Sequence, residues 1–193
     1  MSDKDLQWQV KNSEELCKTP VFTINTVTSV SPEKTEGKYI VLDAPDWVIT
    51  VPVITINGKK HFLMVKQWRH GTNKLSIEFP GGVINQGEDP ACAAQRELTE
   101  ETGYTAKKIK LLKSVYPNPA IMSNKCHFFL AEELTNTEKR NLDKDEYITV
   151  MTVDEQTLLN EMGEDKTTHA LMSTALFFYL QSRNFKTDVP DKR

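Results

Sequence analysis

Between Phe79 and Gly103 the chain leaves the alternating pattern of strands for the spacing of a helix. It does so through one loop dense in glycine and proline, FPGGVINQGEDP. The helix that follows is well marked: Asp89 is a good N-cap, Pro90 suits the first helical position, and Gly103 stands where a left-handed stop belongs. Downstream, strands are expected over 106–116, 125–133 and 146–153 and helices near 154–162 and 168–183. Strands, one helix, strands, then helices is the order of a mixed α+β fold, not the regular alternation of a doubly wound sheet.

Before the loop, VFTINTVTSV from Val21 and KYIVLD from Lys38 are rich in β-branched and aromatic residues and predict a small N-terminal antiparallel β-sheet within residues 1–45. WVITVPVITINGKKHFLMVKQW then predicts two strands around Asn57-Gly58, a dipeptide suited to a tight hairpin because both residues must take positive φ. Pro52 argues either against the first of these strands or for its place at a sheet edge. The final helix, HALMSTALFFYLQSR, is apolar over much of its surface and is expected to pack on the sheet, with residues 186–193 a frayed tail.

With 193 residues, 38% hydrophobic and 26% charged, the chain has the length and balance of one globular domain with a small appendage. No apolar run approaches the roughly 18 to 20 residues of a membrane span, and MSDKDLQWQ lacks the basic-then-apolar pattern of a signal peptide. The expected location is therefore the cytoplasm. A formal charge of −3 without a basic stripe argues against a general nucleic-acid binder, and AKKIKLLK from Ala106 reads as a strand with one solvated face. Cys17, Cys92 and Cys126 are scattered without CxxC spacing, so neither a disulfide framework nor a zinc knuckle is expected. Cys126 and His127 adjoin on a strand, face opposite ways, and read as packing.

Within the predicted helix, RELTEETG carries Arg96, Glu97, Glu100 and Glu101. At about 100° per residue, Glu97 and Glu101 share one side with Glu100 flanking them, while Ala91, Ala94 and Leu98 form a separate stripe for the core. Like-charge repulsion at this spacing costs only a few tenths of a kcal/mol (~0.3), which a surface helix tolerates, so repulsion alone decides nothing. The surroundings are more telling. Hard cations such as Mg²⁺ take oxygen ligands from carboxylates, phosphates and water, and a glycine-rich loop ahead of the helix lets backbone carbonyls come close. Arg96 is well placed to hold a carboxylate in orientation.

From Gly82 the spacing runs through Glu88 to Arg96, Glu97, Leu98, Glu100, Glu101, Gly103 and Tyr104, and it resembles the Nudix box, G-x5-E-x7-R-E-U-x-E-E-x-G-U, with Tyr104 at the last apolar position. A chance match in a chain this long is on the order of one in a million. LMVKQWRHGTNKLSIEFPGG, from Leu63, is similar to the approach strand and loop of the ADP-ribose and nucleotide-sugar pyrophosphatase branch, with Ile77 where leucine is usual. VYPNPAIMSNKCHFFLAEE, from Val115, resembles the downstream segment of that branch, with Pro119 sixteen residues beyond Gly103 and NPA where many relatives have SPG.

The resemblance implies a Nudix fold, a mixed β-sheet packed between helices, over residues 46–185. It also implies metal-dependent hydrolysis of a pyrophosphate bond in a nucleoside diphosphate sugar such as ADP-ribose, with Mg²⁺, or Mn²⁺, as cofactor. By position in the box, Glu97 and Glu101 are the expected principal metal ligands, Glu100 a further ligand or water-orienting group, and the Gly81 carbonyl a backbone ligand. Arg96 and Glu88 are expected supports. The general base is expected among Asp143, Asp145 and Glu146, with Glu146 preferred. For substrate, Arg69 is a candidate phosphate ligand, Trp47 a candidate base-stacking or packing residue, Glu78 a candidate orienting group, and Pro119 part of the loop that sets sugar choice. The branch implies a homodimer formed through the N-terminal sheet, and no nucleic-acid or membrane partner. A non-catalytic Nudix-like ligand sensor and a Nudix hydrolase of nucleoside triphosphates or dinucleoside polyphosphates are the alternative readings.

Overall fold

In the computed structural model, which describes residues 2–137, 140–142 and 147–184, the chain forms two units: Met1–Asp46 with Tyr116–Lys125, and Trp47–Val115 with Cys126–Arg193.

The first unit holds a short 3-10 turn, Asp3–Leu6, and three strands, β1 (Gln9–Lys18), β2 (Thr23–Val30) and β3 (Glu36–Asp43), paired antiparallel in that order. The sequence predicts β2 and β3 but not β1. QVKNSEELCK has little apolar alternation, and every residue of it is exposed, so there is no buried face for a hydrophobic period to mark. Residues 116–125 join this sheet through Leu42, whose N–H donates to the Ile121 carbonyl at 2.7 Å and whose carbonyl accepts from Ser123 N–H at 3.1 Å.

The second unit contains β4 (Trp47–Ile56), β5 (Lys59–Arg69), β6 (Lys74–Glu78), β7 (Gly81–Val83), α1 (Pro90–Thr102), β8 (Tyr104–Val115), β9 (Cys126–Asn136), β10 (Thr149–Asp154), α2 (Glu155–Glu161) and α3 (Ala170–Asn184). Its seven-stranded sheet runs β10-β5-β4-β9-β8, with β6 paired to β5 and β7 to β4. The β4–β5 hairpin turns at Asn57 and Gly58, both at positive φ, 50° and 78°.

Pro52 corrects the edge expectation, because β4 is an interior strand. The proline lies where its neighbours change over: residues 47–52 pair with β9, whereas pairing with β5 begins at Val53. A residue without an N–H is tolerated at that handover. Gly81–Val83, read from sequence as loop, is a short strand against Trp47–Ile49. Glycine and proline mask a strand whose partner lies about thirty residues away.

Alternation along the strands splits the core. Val51, Val53, Phe62, Met64, Phe128 and Leu130 face α3, whose Met172, Ala175, Leu176 and Tyr179 complete one cluster. Val48 and Phe129 instead meet Ala93 and Ala94 of α1, and Leu63 and Ala131 meet Leu98. Helices α1 and α3 therefore cover opposite faces of the sheet. The rings of Phe79 and Tyr179 stand edge-on to Phe62 at 5.4 and 5.0 Å, and each such buried side chain contributes about 1.5–3 kcal/mol. Among the described residues no helix is long and apolar enough to cross a membrane.

Candidate active site

Helix α1 starts and stops on local signals. The Asp89 carboxylate accepts from the N–H groups of Ala91 and Cys92, and Gly103 takes φ 76° with its N–H donating to the Thr99 carbonyl at 2.8 Å. With its ends fixed and Leu98 buried, the helix turns Glu97 and Glu101 toward Gly81 and Gly82 of β7. Gly81 N–H donates to Glu101 Oε2 at 3.0 Å, and this glutamate is 3% exposed. As the neighbouring groups stand, neither glycine has room for a side chain. A Cβ on Gly81 would collide with the Val48 carbonyl oxygen, and one on Gly82 would lie 2.5 Å from Glu97 Oε1.

Arg96 binds the acidic groups together. Its Nε and Nη2 donate to Glu88 at 2.9 and 3.0 Å, its Nη1 to Glu97 at 2.7 Å and Glu100 at 3.0 Å, and Nη2 also to the Val83 carbonyl at 3.0 Å. The hydrogen bonds from Arg96 hold the Glu88 carboxyl below its ordinary range, and those of Glu88, Glu97 and Glu100 push the guanidinium further up. Four carboxylates, Glu88, Glu97, Glu100 and Glu101, against one guanidinium leave a formal charge of −3 here.

A cavity of about 330 Å³ opens on this cluster, lined by Glu97, Glu100, Glu101, Gly81, Gly82, Gln67, Arg69 and Asn141. Its donors are oxygens, the set a hard divalent cation takes. As the side chains stand, no three acidic, histidine or cysteine groups among the described residues converge on one point, since Glu97 and Glu100 turn to Arg96. The residues present fit such an ion in kind, with three carboxylates lining one cavity.

A second cavity, about 280 Å³, adjoins the first along Arg69, Gly81, Gly82 and Val83; Trp47, Phe79, Leu171, Met172 and His169 make its other walls. Arg69 is held by Glu78, which accepts from Nε at 2.8 Å and Nη2 at 2.6 Å. Burial pushes the Glu78 carboxyl up, but the hydrogen bonds and charge of Arg69 outweigh it and keep the group below its ordinary range.

The C-terminal end of α1 is tied to the segment after β9. Arg140 Nε donates to the Glu101 carbonyl at 3.0 Å and Nη2 to the Ile148 carbonyl at 2.9 Å, while Asn141 N–H reaches the Glu100 carbonyl at 3.2 Å.

The structure thus gathers Glu97, Glu100, Glu101, Arg96, Gly81 and Arg69 around one cavity, and Trp47 and Glu78 with Arg69 around its neighbour. Pro119 is exposed in the first unit. Asp143, Asp145 and Glu146 lie outside the described residues. Sequence reasoning missed Gln67, Asn141, Arg140 and His169. Gln67 stood in view inside QWR, but a lone asparagine, arginine or histidine near a strand or helix end carries no local signal.

Compared with known proteins, residues 46–171 match the NUDIX domain. The chain is 38% identical over 139 residues to the ADP-ribose pyrophosphatase of Bacillus subtilis, covering 69% of this chain and 75% of that protein. It is 36% identical over 108 residues to the methanol dehydrogenase activator of Bacillus methanolicus, covering 54% of this chain and 58% of that one. Among solved structures, an ADP compounds hydrolase superposes with a TM-score of 0.80 at 23% identity, over 93% of this chain and 97% of that one, a likeness of fold.

Proposed function

The chain belongs to the Nudix family, and on that premise we propose that it hydrolyses the pyrophosphate bond of ADP-ribose or another nucleoside diphosphate sugar. Water adds to one phosphorus, the P–O–P bridge breaks, and a nucleoside monophosphate and a sugar phosphate leave. The observation that carries this reading is the pair of adjoining cavities: an acidic one beside an apolar one, with Arg69 and the Gly81-Gly82 strand common to both. A molecule with a diphosphate in its middle and an uncharged ring beside it suits that division. The name of the B. subtilis relative, an ADP-ribose pyrophosphatase, points the same way.

In this reading Glu97, Glu100 and Glu101, with the Gly81 carbonyl, hold Mg²⁺, or Mn²⁺ in its place. When bound, the ion supplies charge neutralisation at the phosphate oxygens and acidifies water near neutral pH. Arg96, itself fixed by Glu88, orients Glu97 and Glu100. Arg69, braced by Glu78, binds a phosphate oxygen, and Trp47 offers a flat apolar wall for a ring. Glu146 takes the proton of the attacking water, a role that near-normal turnover of Glu146→Gln at saturating metal would exclude. Pro119 and its loop bear on sugar choice.

A homodimer through residues 1–45 belongs to the same proposal. Leu6, Val10, Leu16, Val21 and Ile40 are all exposed in the first unit, a concentration of apolar surface that association would cover. A strictly monomeric mass at micromolar concentration would overturn it. Location in the cytoplasm accords with three cysteines scattered without the spacing of a disulfide framework.

The test of the activity presents purified protein and Mg²⁺ with ADP-ribose, several nucleoside diphosphate sugars, NADH, nucleoside triphosphates and dinucleoside polyphosphates. Phosphate is measured after phosphatase coupling. The sugars are expected to be cleaved; cleavage of triphosphates alone would sink the proposal.

A further inference from the structure

The imidazole of His169 lies in the wall of the apolar cavity, and its Nδ1 is buried without a hydrogen-bond partner. The main chain there is fixed. The His169 carbonyl accepts from Met172 N–H at 2.9 Å, and Met172 Sδ in turn accepts from the buried Phe79 N–H at 3.0 Å. The same residue also lines another cavity of about 280 Å³, with Arg69, Thr72, Lys74 and Ser76. Leaving a buried polar atom unpaired costs about 1–3 kcal/mol, and such atoms in native proteins call for an explanation. Histidine χ2 is a broad two-fold torsion, so a turn of the ring can present this nitrogen to a cavity that the residue lines.

We propose that His169 is a specificity residue that hydrogen-bonds a hydroxyl of the sugar ring next to the phosphate held by Arg69. This rests on the function proposed above. The phosphate already has a charge partner in Arg69, and a flat base already has Trp47. Next to that phosphate in a nucleoside diphosphate sugar is a hydroxylated ring, whichever half of the molecule enters. A hydroxyl both donates and accepts, and a neutral imidazole offers one site of each kind. A site built to bond a hydroxyl also rejects strongly an analogue that lacks it, since its own polar group is then left unpaired.

The experiment compares wild type, His169→Phe and His169→Asn. Phenylalanine keeps a ring and removes both nitrogens; asparagine restores a polar group near Nδ1. Steady-state constants are measured for ADP-ribose, for its analogue with 2′,3′-dideoxyadenosine, which lacks both hydroxyls of the nucleoside sugar, and for the methyl ester of ADP, which lacks the terminal sugar. Thermal midpoints are measured without substrate. For ADP-ribose, His169→Phe is expected to raise KM about tenfold, the equivalent of one lost hydrogen bond, with a much smaller change in kcat. His169→Asn recovers most of that loss. The difference between wild type and His169→Phe vanishes for the analogue missing the bonded hydroxyl, which tells the nucleoside ribose from the terminal sugar. A KM unmoved by His169→Phe, or a KM difference that persists undiminished with both analogues, overturns the inference and leaves the proposed function standing. A fall in kcat and midpoint at constant KM does the same, assigning the ring to structure. A wild type that cleaves no nucleoside diphosphate sugar instead overturns the proposed function and this inference with it.

Discussion

Arg69 and Glu78 stand on adjacent strands, joined by two parallel hydrogen bonds of 2.8 and 2.6 Å, with the carboxylate 1% exposed and the guanidinium 43% exposed. The pair is asymmetric. Removing the arginine strands a buried charge, so Arg69→Ala is expected to cost about 3 kcal/mol, the low end for a buried pair because the arginine is half in water. Urea unfolding measures this, and the double variant Arg69→Ala, Glu78→Gln should recover part of the loss.

The same pair gives a pH dependence. The folded carboxyl of Glu78 lies below its ordinary value of 4.5, so its stabilisation is fully present above that value and is lost as pH falls through the lower folded one. The thermal midpoint of wild type should therefore drop more steeply on acidification below 4.5 than that of Glu78→Gln. Parallel curves for the two proteins would contradict the assignment.

Gly81 and Gly82 are neighbours with different reasons to lack a side chain, and alanine should separate them. At Gly81 a Cβ meets backbone, the Val48 carbonyl, which cannot give way without breaking the β4–β7 pairing. At Gly82 it meets the far end of Glu97, which can move. Gly81→Ala is expected to lower the thermal midpoint by several degrees, roughly what 1–3 kcal/mol of overpacking gives in a domain this size. Gly82→Ala should keep the fold but displace the Glu97 carboxylate, raising the Mg²⁺ concentration needed for half-maximal rate about tenfold or more.

What sequence made legible here follows the range of the interactions. Asp89, Pro90 and Gly103 act within a few residues, and so the ends of α1 were readable; Asn57-Gly58 likewise fixed a hairpin. The box spacing from Gly82 to Gly103 lies within one short strand, one loop and one helix, consecutive in the chain, so the acidic cluster could be read as a unit. β1 was invisible because none of its residues is buried. Pro52 misled because its position depends on which neighbour each half of β4 pairs with, a matter of tertiary register. His169, at the head of α3, and Asn141, after β9, reach the two cavities only through long-range folding.

Arg96 makes five hydrogen bonds through a planar fork that a lysine cannot reproduce. Arg96→Lys keeps the charge while releasing Glu97 and Glu100 from a fixed orientation. It is expected to lower kcat about 100-fold, as displacements near 1 Å do, while the chain stays folded by circular dichroism. Retention of full turnover would show that charge, not geometry, is what the carboxylates need.

Arg140 carries the same logic to the other end of the helix. Its guanidinium joins the Glu101 carbonyl, in the last turn of α1, to the Ile148 carbonyl just ahead of β10. The last carbonyls of a helix have no partner within it, and a cation there also meets the favourable end of the helix dipole. Each bond from a charged donor is worth about 1.5–3 kcal/mol, less at a site open to water. Arg140→Ala should thus destabilise by about 1–2 kcal/mol in urea. Because the lost anchor lies on Glu101 itself, turnover should fall further than the folded fraction does. Arg140→Lys, able to reach one carbonyl but not both, should fall between. If activity tracks only the folded fraction across the three proteins, Arg140 holds the fold and does not position the carboxylate.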